Sequence, residues 1–345
     1  MSAFSQIATV TPEHLVDVDK IKKVSLDWLR DDRTAQEKFL RISTHSGVKT
    51  RKFVLPYEDI LSLNGMEHRA NQFEEEGTNL LVQAINNTLS ENAQDASEIG
   101  AIIFTSCSVP SIPCIDARAI LETKLPNNIA RIPIYQHGCA GGVIGLALGS
   151  KLATLGKPVI VSSVELCSLV FQPNNHEGTQ LVGAAIFADG AAATVIYPER
   201  GALRIKDVES SLIPESRHLM GYDIFDDGFH LRLDRALPNT LVEHAPKIIE
   251  EFLKRNGKAL DEIKYWLFHP GGIKILRFLE ETFRLDKEQC VWSYDVLRDY
   301  GNLSSATILF VIDAFLKDRQ LMPGENAIVM GIGPGLTVEL ILLEG

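Results

Sequence analysis

The chain has 345 residues, of which 45% are apolar and 23% are charged, and its formal net charge is −11. This composition is typical of a globular protein with a sizeable core, folded as one large domain or two. The acidic balance excludes broad nucleic-acid binding, which needs a basic surface, and no run of about 18 apolar residues predicts a membrane span.

The first residues include Glu13, Asp17 and Asp19, with no basic region followed by an apolar run, so no signal peptide is expected. Five cysteines at scattered spacings indicate neither a disulfide framework nor a zinc site. The sequence therefore predicts a reduced, soluble, cytoplasmic protein without a metal.

Four short apolar runs, each bounded by Gly, Ser or Pro, predict strands that are buried on both faces. They lie at residues 99–104, 158–161, 265–268 and 327–330. Apolar stretches at 141–155 and 304–316 predict buried helices, and an amphipathic stretch at 239–255 ends at an Asn-Gly cap signal. The alternation of strands and helices predicts a layered α/β fold.

A glycine turn that leads into a β-rich stretch occurs twice, at residues 187–197 and 331–342, and a helix and a strand are expected before each. This repeated pattern favours a chain of two related halves. The break between them is predicted near Glu199, which gives an N-terminal half of residues 1–199 and a C-terminal half of residues 200–345.

Three chemically useful side chains lie in glycine-flanked turns at predicted strand-to-helix junctions. Cys139 opens the helix that begins at Gly-Cys-Ala-Gly-Gly, His269 precedes Pro-Gly-Gly, and Asn302 follows Tyr-Gly. A free cysteine is usually a small buried hydrophobe, but a helix N-terminus stabilises a thiolate. Each residue alone also fits a structural role. Together, a thiol, an imidazole and an amide are the groups needed for acyl transfer through a thioester.

Seven ordered motifs resemble those of the type III polyketide synthases, the chalcone- and stilbene-synthase-like family, in its bacterial branch. They are QHGCAGG at 136–142, VELCSL at 164–169, IFADG at 186–190, GFHL at 228–231, HPGG at 269–272, GNLSS at 301–305 and GIGPG at 331–335. The resemblance extends from about residue 37 to residue 344. It implies the thiolase-like fold, in which two similar halves form a five-layered αβαβα body.

The resemblance also implies a reaction. Cys139 matches the nucleophile that receives an acyl starter from coenzyme A, and His269 matches the partner that holds its thiolate. Asn302 matches the amide that, with the histidine, binds the malonyl thioester during decarboxylation. The implied activity is decarboxylative condensation of malonyl-CoA onto the starter, with coenzyme A thioesters as substrates and no other cofactor.

Further positions match residues that bind or shape the substrate in the family. The aromatic pair Phe187 and Phe229 would separate the coenzyme A tunnel from the cavity, and three residues would shape that cavity: Ser304, Val170 and Cys107. Two basic residues, Lys38 and Arg41, match positions that bind coenzyme A phosphates in the plant enzymes, although such a basic helix face is as often merely solvated.

The loop at residues 106–113 lacks the Cys-Thr-Gly that bacterial relatives often carry there, which leaves the cavity shape and the product open. The family works as a homodimer, and Ile112 in this loop is the residue expected nearest to the partner's cavity. The small or apolar cavity positions favour an aliphatic acyl starter and an alkyl α-pyrone or related short polyketide as product.

Three alternatives remain to be weighed. A β-ketoacyl carrier-protein synthase III shares the three catalytic residues, but its histidine is typically followed by Gln-Ala-Asn and not by Pro-Gly-Gly. A ketosynthase that joins two acyl chains head to head into an α-pyrone has overlapping motifs. A non-catalytic partner subunit should have lost one of the three residues, and all three are present.

Overall fold

The computed structural model describes residues 2–4, 6–63 and 65–345. Its strands are β1 (Ala3–Phe4), β2 (Ile7–Val10), β3 (His14–Asp17), β4 (Thr50–Phe53), β5 (Ala101–Ser106), β6 (Ala130–Tyr135), β7 (Val159–Leu166), β8 (Asp189–Ile196), β9 (Leu203–Leu212), β10 (Met220–Phe225), β11 (Gly228–Leu233), β12 (Ile263–Phe268), β13 (Asn326–Gly333) and β14 (Thr337–Glu344). Its α-helices are α1 (Val18–Trp28), α2 (Arg33–His45), α3 (Tyr57–Ser62), α4 (Gly65–Glu91), α5 (Asp116–Glu122), α6 (Gly141–Ala153), α7 (Gly178–Ile186), α8 (Leu237–Arg255), α9 (Ile273–Phe283), α10 (Val291–Tyr300) and α11 (Thr307–Asp318).

Two five-stranded sheets share one pairing pattern. Their orders are β2-β8-β7-β5-β6 and β1-β9-β14-β13-β12. In the first sheet, β2 and β7 flank β8 antiparallel, and β5 runs parallel to β7. In the second, β9 and β13 flank β14 antiparallel, and β12 runs parallel to β13. The repeated pattern in the sequence therefore corresponds to a repeated arrangement of four strands.

Three hydrophobic clusters join these elements into five layers. The central cluster contains Val143 of α6 and Ile308 of α11, packed between Ile103 of β5 in one sheet and Val329 of β13 in the other. A second cluster packs α4 against the outer face of the first sheet, and a third packs α8 and α9 against the outer face of the second. The order is helices, sheet, helices, sheet, helices, which is the predicted αβαβα body.

The four predicted strands are present as β5, β7, β12 and β13, with bounds that differ by a few residues. The buried helix predicted at 304–316 is present as α11, which begins at Thr307 after a 3-10 turn at Ser304–Ala306, where Ser304 has a left-handed φ of +47°. One local prediction was wrong. The glycine turn expected at 331–335 starts later, since Gly331 and Gly333 lie within β13 and give room for Ala140.

The five cysteines are all unpaired. Among the described residues, no group of His, Cys, Asp or Glu side chains could hold a metal ion. In the same part of the chain, no helix combines the length and the apolar character that crossing a membrane requires.

Candidate active site

Cys139 lies in a 3-10 turn between β6 and α6, and glycines allow this turn to pack against the other half of the molecule. Gly138 has φ +54°, and a Cβ added there would lie 2.5 Å from the Cδ of Pro334. A Cβ on Gly142 would lie 2.3 Å from the carbonyl oxygen of Ser305. The glycines that flank the thiol are therefore required by close contacts with the segments after α10 and β13.

His269 follows the last residue of β12, so the strand end fixes its backbone. Its N–H donates to the carbonyl oxygen of Met330 at 2.8 Å, and the preceding N–H of Phe268 donates to Ser293 Oγ at 3.0 Å. The side chain is 4% exposed, and neither ring nitrogen has a hydrogen-bond partner in the structure. A buried imidazole with both nitrogens unpaired is free to bond to a substrate.

Asn302 is held by its backbone and by its side-chain oxygen. Its N–H donates to the carbonyl oxygen of Ile186 at 2.8 Å. Its Oδ1 accepts from the N–H of Ser304 at 2.8 Å and from Thr307 Oγ1 at 3.3 Å. Because these two donors occupy the oxygen, the Nδ2 group is left to donate, and the Asn302 side chain lowers the pKa of the Cys139 thiol.

The hydroxyl of Ser304, just before α11, contacts two thiols. Its Oγ lies 3.7 Å from Cys139 Sγ and 3.1 Å from Cys107 Sγ. A left-handed φ at a residue other than glycine is strained, and such strain is found mostly where the surrounding structure enforces it, as at active sites. Of the two residues proposed from sequence, Ser304 therefore contacts Cys139 directly, and Cys107 is linked to Cys139 through Ser304.

Burial dominates the electrostatics of the site. It raises the pKa of the Cys139 thiol to about 11; the hydrogen bond with Ser304 opposes this rise, the charge of Glu165 adds to it, and Asn302 opposes it. Burial also lowers the pKa of His269 to about 3. Desolvation by itself therefore favours the neutral form of both groups, and neither ring nitrogen of His269 has a hydrogen bond to the Cys139 thiol. A thiolate–imidazolium pair would form only where the attraction between the two charges exceeds the free-energy cost of desolvating both.

Glu165 is a functional residue of the site that the sequence reasoning did not single out. It is fully buried in β7, where Oε2 accepts from the N–H of Cys107 at 3.1 Å and from Ser108 Oγ, while Oε1 accepts from the N–H of Ser305 at 3.2 Å and from Ser305 Oγ. It thus ties the segment after β5 to the segment after Asn302. A single acidic residue inside an otherwise apolar strand was the signal for it.

A cavity lies beside the N-terminal helices, and the residues that line it do not include Cys139, His269, Asn302, Ser304 or Cys107. Its wall includes Val170 and Phe187, as the resemblance implies, together with Cys167 and Ser168. Aliphatic and aromatic side chains form much of the remaining wall: Ile21, Val24, Trp28, Phe39, Phe53 and Phe171. Most of these come from α1 and α2, which carry no motif.

Tyr222 also lines the cavity and was missed in the sequence. It lies on β10 opposite Leu231 of β11, and its ring stacks on Phe229 with centroids 5.7 Å apart. Its pKa is raised by burial and by the nearby thiols, including Cys139. The Asp-Asp-Gly turn before Phe229 predicts a hairpin and could have placed Tyr222 beside the motif.

Phe229 does not belong to the cavity wall and acts on it through Tyr222. Lys38 and Arg41 lie on α2. Lys38 is half-buried, and a Cβ on Gly178 would lie 2.6 Å from its Nζ, whereas Arg41 is exposed. In the described part of the chain, no carboxylate forms an ion pair with either cation, so both charges are available to an anionic ligand.

The chain matches family models along nearly its whole length. The N-terminal domain of the chalcone and stilbene synthases matches residues 2–199, and the C-terminal domain of the same family matches residues 204–345.

Individual relatives agree with this assignment. The 1,3,6,8-tetrahydroxynaphthalene synthase of Streptomyces coelicolor is 28% identical over 99% of this chain and 92% of its own length. The crystal structure of that enzyme superposes with a TM-score of 0.94, covering 99% of this chain and 98% of the other. The phloroglucinol synthase of Pseudomonas fluorescens is 28% identical over 97% of this chain and 95% of its own length. The chain therefore belongs to the chalcone and stilbene synthase family and has its thiolase-like fold: it is a type III polyketide synthase, an acyl-transferring, carbon–carbon bond-forming enzyme that needs no cofactor beyond coenzyme A thioester substrates.

Proposed function

We propose that this synthase condenses malonyl-CoA onto an aliphatic acyl starter held as a thioester on Cys139, and that it releases an alkyl α-pyrone or a related short polyketide. The observation that carries the proposal is the cavity, because aliphatic and aromatic side chains form most of its wall and two other wall residues, Cys167 and Tyr222, interact electrostatically with Cys139. A straight acyl chain would bury its methylenes there, at about 0.8 kcal/mol for each CH₂.

Loading of the starter begins with proton transfer from Cys139 to His269. Both groups are neutral at rest because of burial, so the transfer creates the charge pair as the substrate excludes water. The sulfur then attacks the carbonyl carbon of the acyl-CoA, the bond from that carbon to the coenzyme A sulfur breaks, and the leaving thiolate takes the proton from His269.

Chain extension begins when malonyl-CoA binds with its thioester carbonyl oxygen against two hydrogen-bond donors. Neutral His269 and the Nδ2 group of Asn302 donate to the thioester carbonyl of malonyl-CoA. Loss of CO₂ leaves the electron pair as an enolate on that oxygen. The enolate carbon attacks the acyl carbon on Cys139, a carbon–carbon bond forms, and the cysteine thiolate leaves. The fixed orientation of the Asn302 amide, with Oδ1 occupied by Ser304 and Thr307, supports this role.

The substrate-contacting roles follow from position. We assign Val170 and Phe187 to the cavity wall, Phe229 to support of Tyr222, and the pair Cys107 and Ser304 to the surroundings of the Cys139 thiol. The unpaired cations Lys38 and Arg41 would bind coenzyme A phosphates at the protein surface.

The cavity wall also carries polar side chains that a phenol hydroxyl could reach. Arg51, Tyr57 and Gln180 line it, and neither Arg51 Nε nor the Tyr57 hydroxyl has a hydrogen-bond partner in the structure. An unpaired buried hydroxyl costs about 1–3 kcal/mol, so a phenol placed against either group would avoid that cost. We propose the aliphatic starter because aliphatic and aromatic side chains form most of the wall, and we assign Tyr222 to donate to a carbonyl of the growing chain.

Assembly and location complete the proposal. We propose a homodimer in which Ile112, fully exposed at the tip of its loop, contacts the partner. We also propose the division into residues 1–199 and 200–345 as halves, and a cytoplasmic location, where five unpaired cysteines would stay reduced. Sedimentation at micromolar concentration tests the dimer, and a monomer would contradict it.

The substrate is tested by incubating the purified protein with malonyl-CoA and, separately, decanoyl-CoA or 4-hydroxycinnamoyl-CoA, and by comparing kcat/KM and product masses. A higher kcat/KM for decanoyl-CoA, with a product that retains the alkyl chain, supports the proposal. A preference for the aromatic starter, or product formed from malonyl-CoA alone at an unchanged rate, would overturn the aliphatic assignment.

A further inference from the structure

We infer that Trp28 on α1 closes the outer end of the cavity and sets the longest acyl starter that the enzyme accepts. This inference rests on the proposed function, because it concerns the same cavity. It assigns a specificity-determining role to a helix outside every motif of the sequence.

One face of α1 contributes to the cavity wall. Ile21, Val24 and Trp28 occupy positions i, i+3 and i+7, which lie on the same side of a helix, and all three line the cavity. The opposite side of the helix faces solvent, as shown by Leu26, which is 56% exposed. The cavity thus ends against one helix whose other side is water.

Trp28 is fixed in place by two other elements. Its ring meets Phe39 of α2 edge-on, with centroids 5.3 Å apart, and meets Phe171 in the same way at 4.8 Å. Its indole Nε1–H donates to the carbonyl oxygen of Pro173 at 2.7 Å. A ring packed on two sides and hydrogen-bonded by its one polar atom does not swing aside at little cost.

Two wall residues indicate which end of the cavity lies nearer to Cys139. Cys167 and Tyr222 line it there, and both interact electrostatically with the thiol of Cys139. No hydrogen bond, ion pair or ring contact among the described residues joins Trp28 to these groups. Trp28 lines the cavity and is also partly exposed to solvent. Its indole ring therefore separates the outer cavity from solvent.

This geometry predicts how kcat/KM depends on chain length. While a longer starter still fits, each added methylene is buried and kcat/KM rises about fourfold. Once the chain reaches the indole, a further methylene has no space, and kcat/KM falls. Trp28→Ala removes the barrier, so the rise should continue to longer chains until the chain end reaches solvent, where a further methylene is no longer buried.

The experiment measures kcat/KM for straight-chain acyl-CoAs from hexanoyl to stearoyl, and also the acyl-enzyme formed by each without malonyl-CoA. Trp28→Ala should move the optimum to longer chains, with a gain of tenfold or more for the first chain that the wild type rejects. Leu26→Ala, on the exposed side of the same helix, is the matched control and should leave the optimum unchanged.

A second variant acts in the opposite direction and does not remove the indole. Val24→Phe should narrow the same end of the cavity and move the optimum to shorter chains. An unchanged optimum in both cavity variants would overturn the role of Trp28, whereas a wild type that forms no acyl-enzyme with any of these chains would overturn the proposed function itself. If Trp28→Ala does not fold, Val24→Phe alone decides between the two outcomes.

Discussion

The thiol cluster around Cys139 and the outer cavity behind it are built in opposite ways. In the cluster, Glu165 and Asn302 each accept several hydrogen bonds, and glycines pack within contact distance of the other half. The outer cavity is formed mainly by apolar side chains, with few polar ones, and Trp28 is held there by ring contacts and one hydrogen bond. Hydrogen bonds fix direction, whereas apolar contacts fix only volume.

This difference separates the chemistry from the choice of substrate. A change in the cluster should alter the rate for every starter, because each polar atom there has a defined partner. A change in the outer cavity should alter which acyl starters are accepted and leave the catalytic steps intact, since apolar walls tolerate changes of shape.

The largest effect is expected from Cys139→Ala, which removes the atom that forms the thioester. Product formation should fall below detection while the fold is retained. The matched control is Cys167→Ala, a cysteine of the cavity wall, which should keep most of the activity. Comparable loss of activity in the two variants would show that the cavity wall is as important for the chemistry as the cluster around Cys139, which contradicts the distinction between the two regions.

His269→Ala and Asn302→Asp should separate the two half-reactions. Asn302→Asp keeps the oxygen that accepts from Ser304 and Thr307 but loses the Nδ2 donor, so malonyl-CoA decarboxylation should slow about 100- to 1,000-fold. Loading of the starter should slow less than decarboxylation in that variant, because the Asn302 side chain also lowers the pKa of the Cys139 thiol, whereas His269→Ala should slow loading strongly. Rapid-quench measurement of acyl-enzyme and of CO₂ release checks both. Equal loss of loading would contradict the division of labour.

Sequence alone predicted the cluster better than the cavity, for a physical reason. Cys139, His269 and Asn302 lie in glycine-flanked turns, and such turns leave a readable pattern. Cys139 and His269 follow β6 and β12 as expected, whereas Asn302 lies between α10 and α11 and not at the strand-to-helix junction predicted for it. Trp28 and Tyr222 are spaced as core residues would be, so nothing in the local sequence distinguishes a cavity wall from a packed interior. The layered fold followed from apolar runs, whereas the 3-10 turn at Ser304 depended on a side-chain hydrogen bond that propensity does not encode.

Glu165→Gln should change the reactivity of Cys139 and the stability of the protein together. The carboxylate charge raises the pKa of the Cys139 thiol, so its removal should move the pH midpoint of iodoacetamide alkylation downwards. The amide also leaves one of the serine or backbone donors unpaired, at a cost of about 1–3 kcal/mol. Glu339→Gln, at a buried glutamate of β14, is the control. An equal shift of the pH midpoint of alkylation in both variants, or a shift in neither, would show that the charge of Glu165 does not raise the pKa of the Cys139 thiol.

The smallest effect concerns the pH dependence of stability. Burial lowers the pKa of His269 from 6.5 to about 3, so between these values the unfolded chain binds a proton that the folded protein does not. The contribution of this group is therefore present above pH 6.5 and is lost as the pH falls, by at most about 1.4 kcal/mol per pH unit. Chemical denaturation of His269→Asn at several pH values should give a shallower slope than the wild type. Parallel slopes would show that His269 is not buried as a neutral ring.

The central claim is that an aliphatic starter enters the outer cavity and is carried by Cys139. The most direct measurement incubates the wild-type protein with decanoyl-CoA in the absence of malonyl-CoA, digests it, and locates the acyl group by mass spectrometry. The account predicts a decanoyl group on the peptide that contains Cys139. A decanoyl group on Cys107 or Cys167, or labelling by 4-hydroxycinnamoyl-CoA but not by decanoyl-CoA, would contradict it.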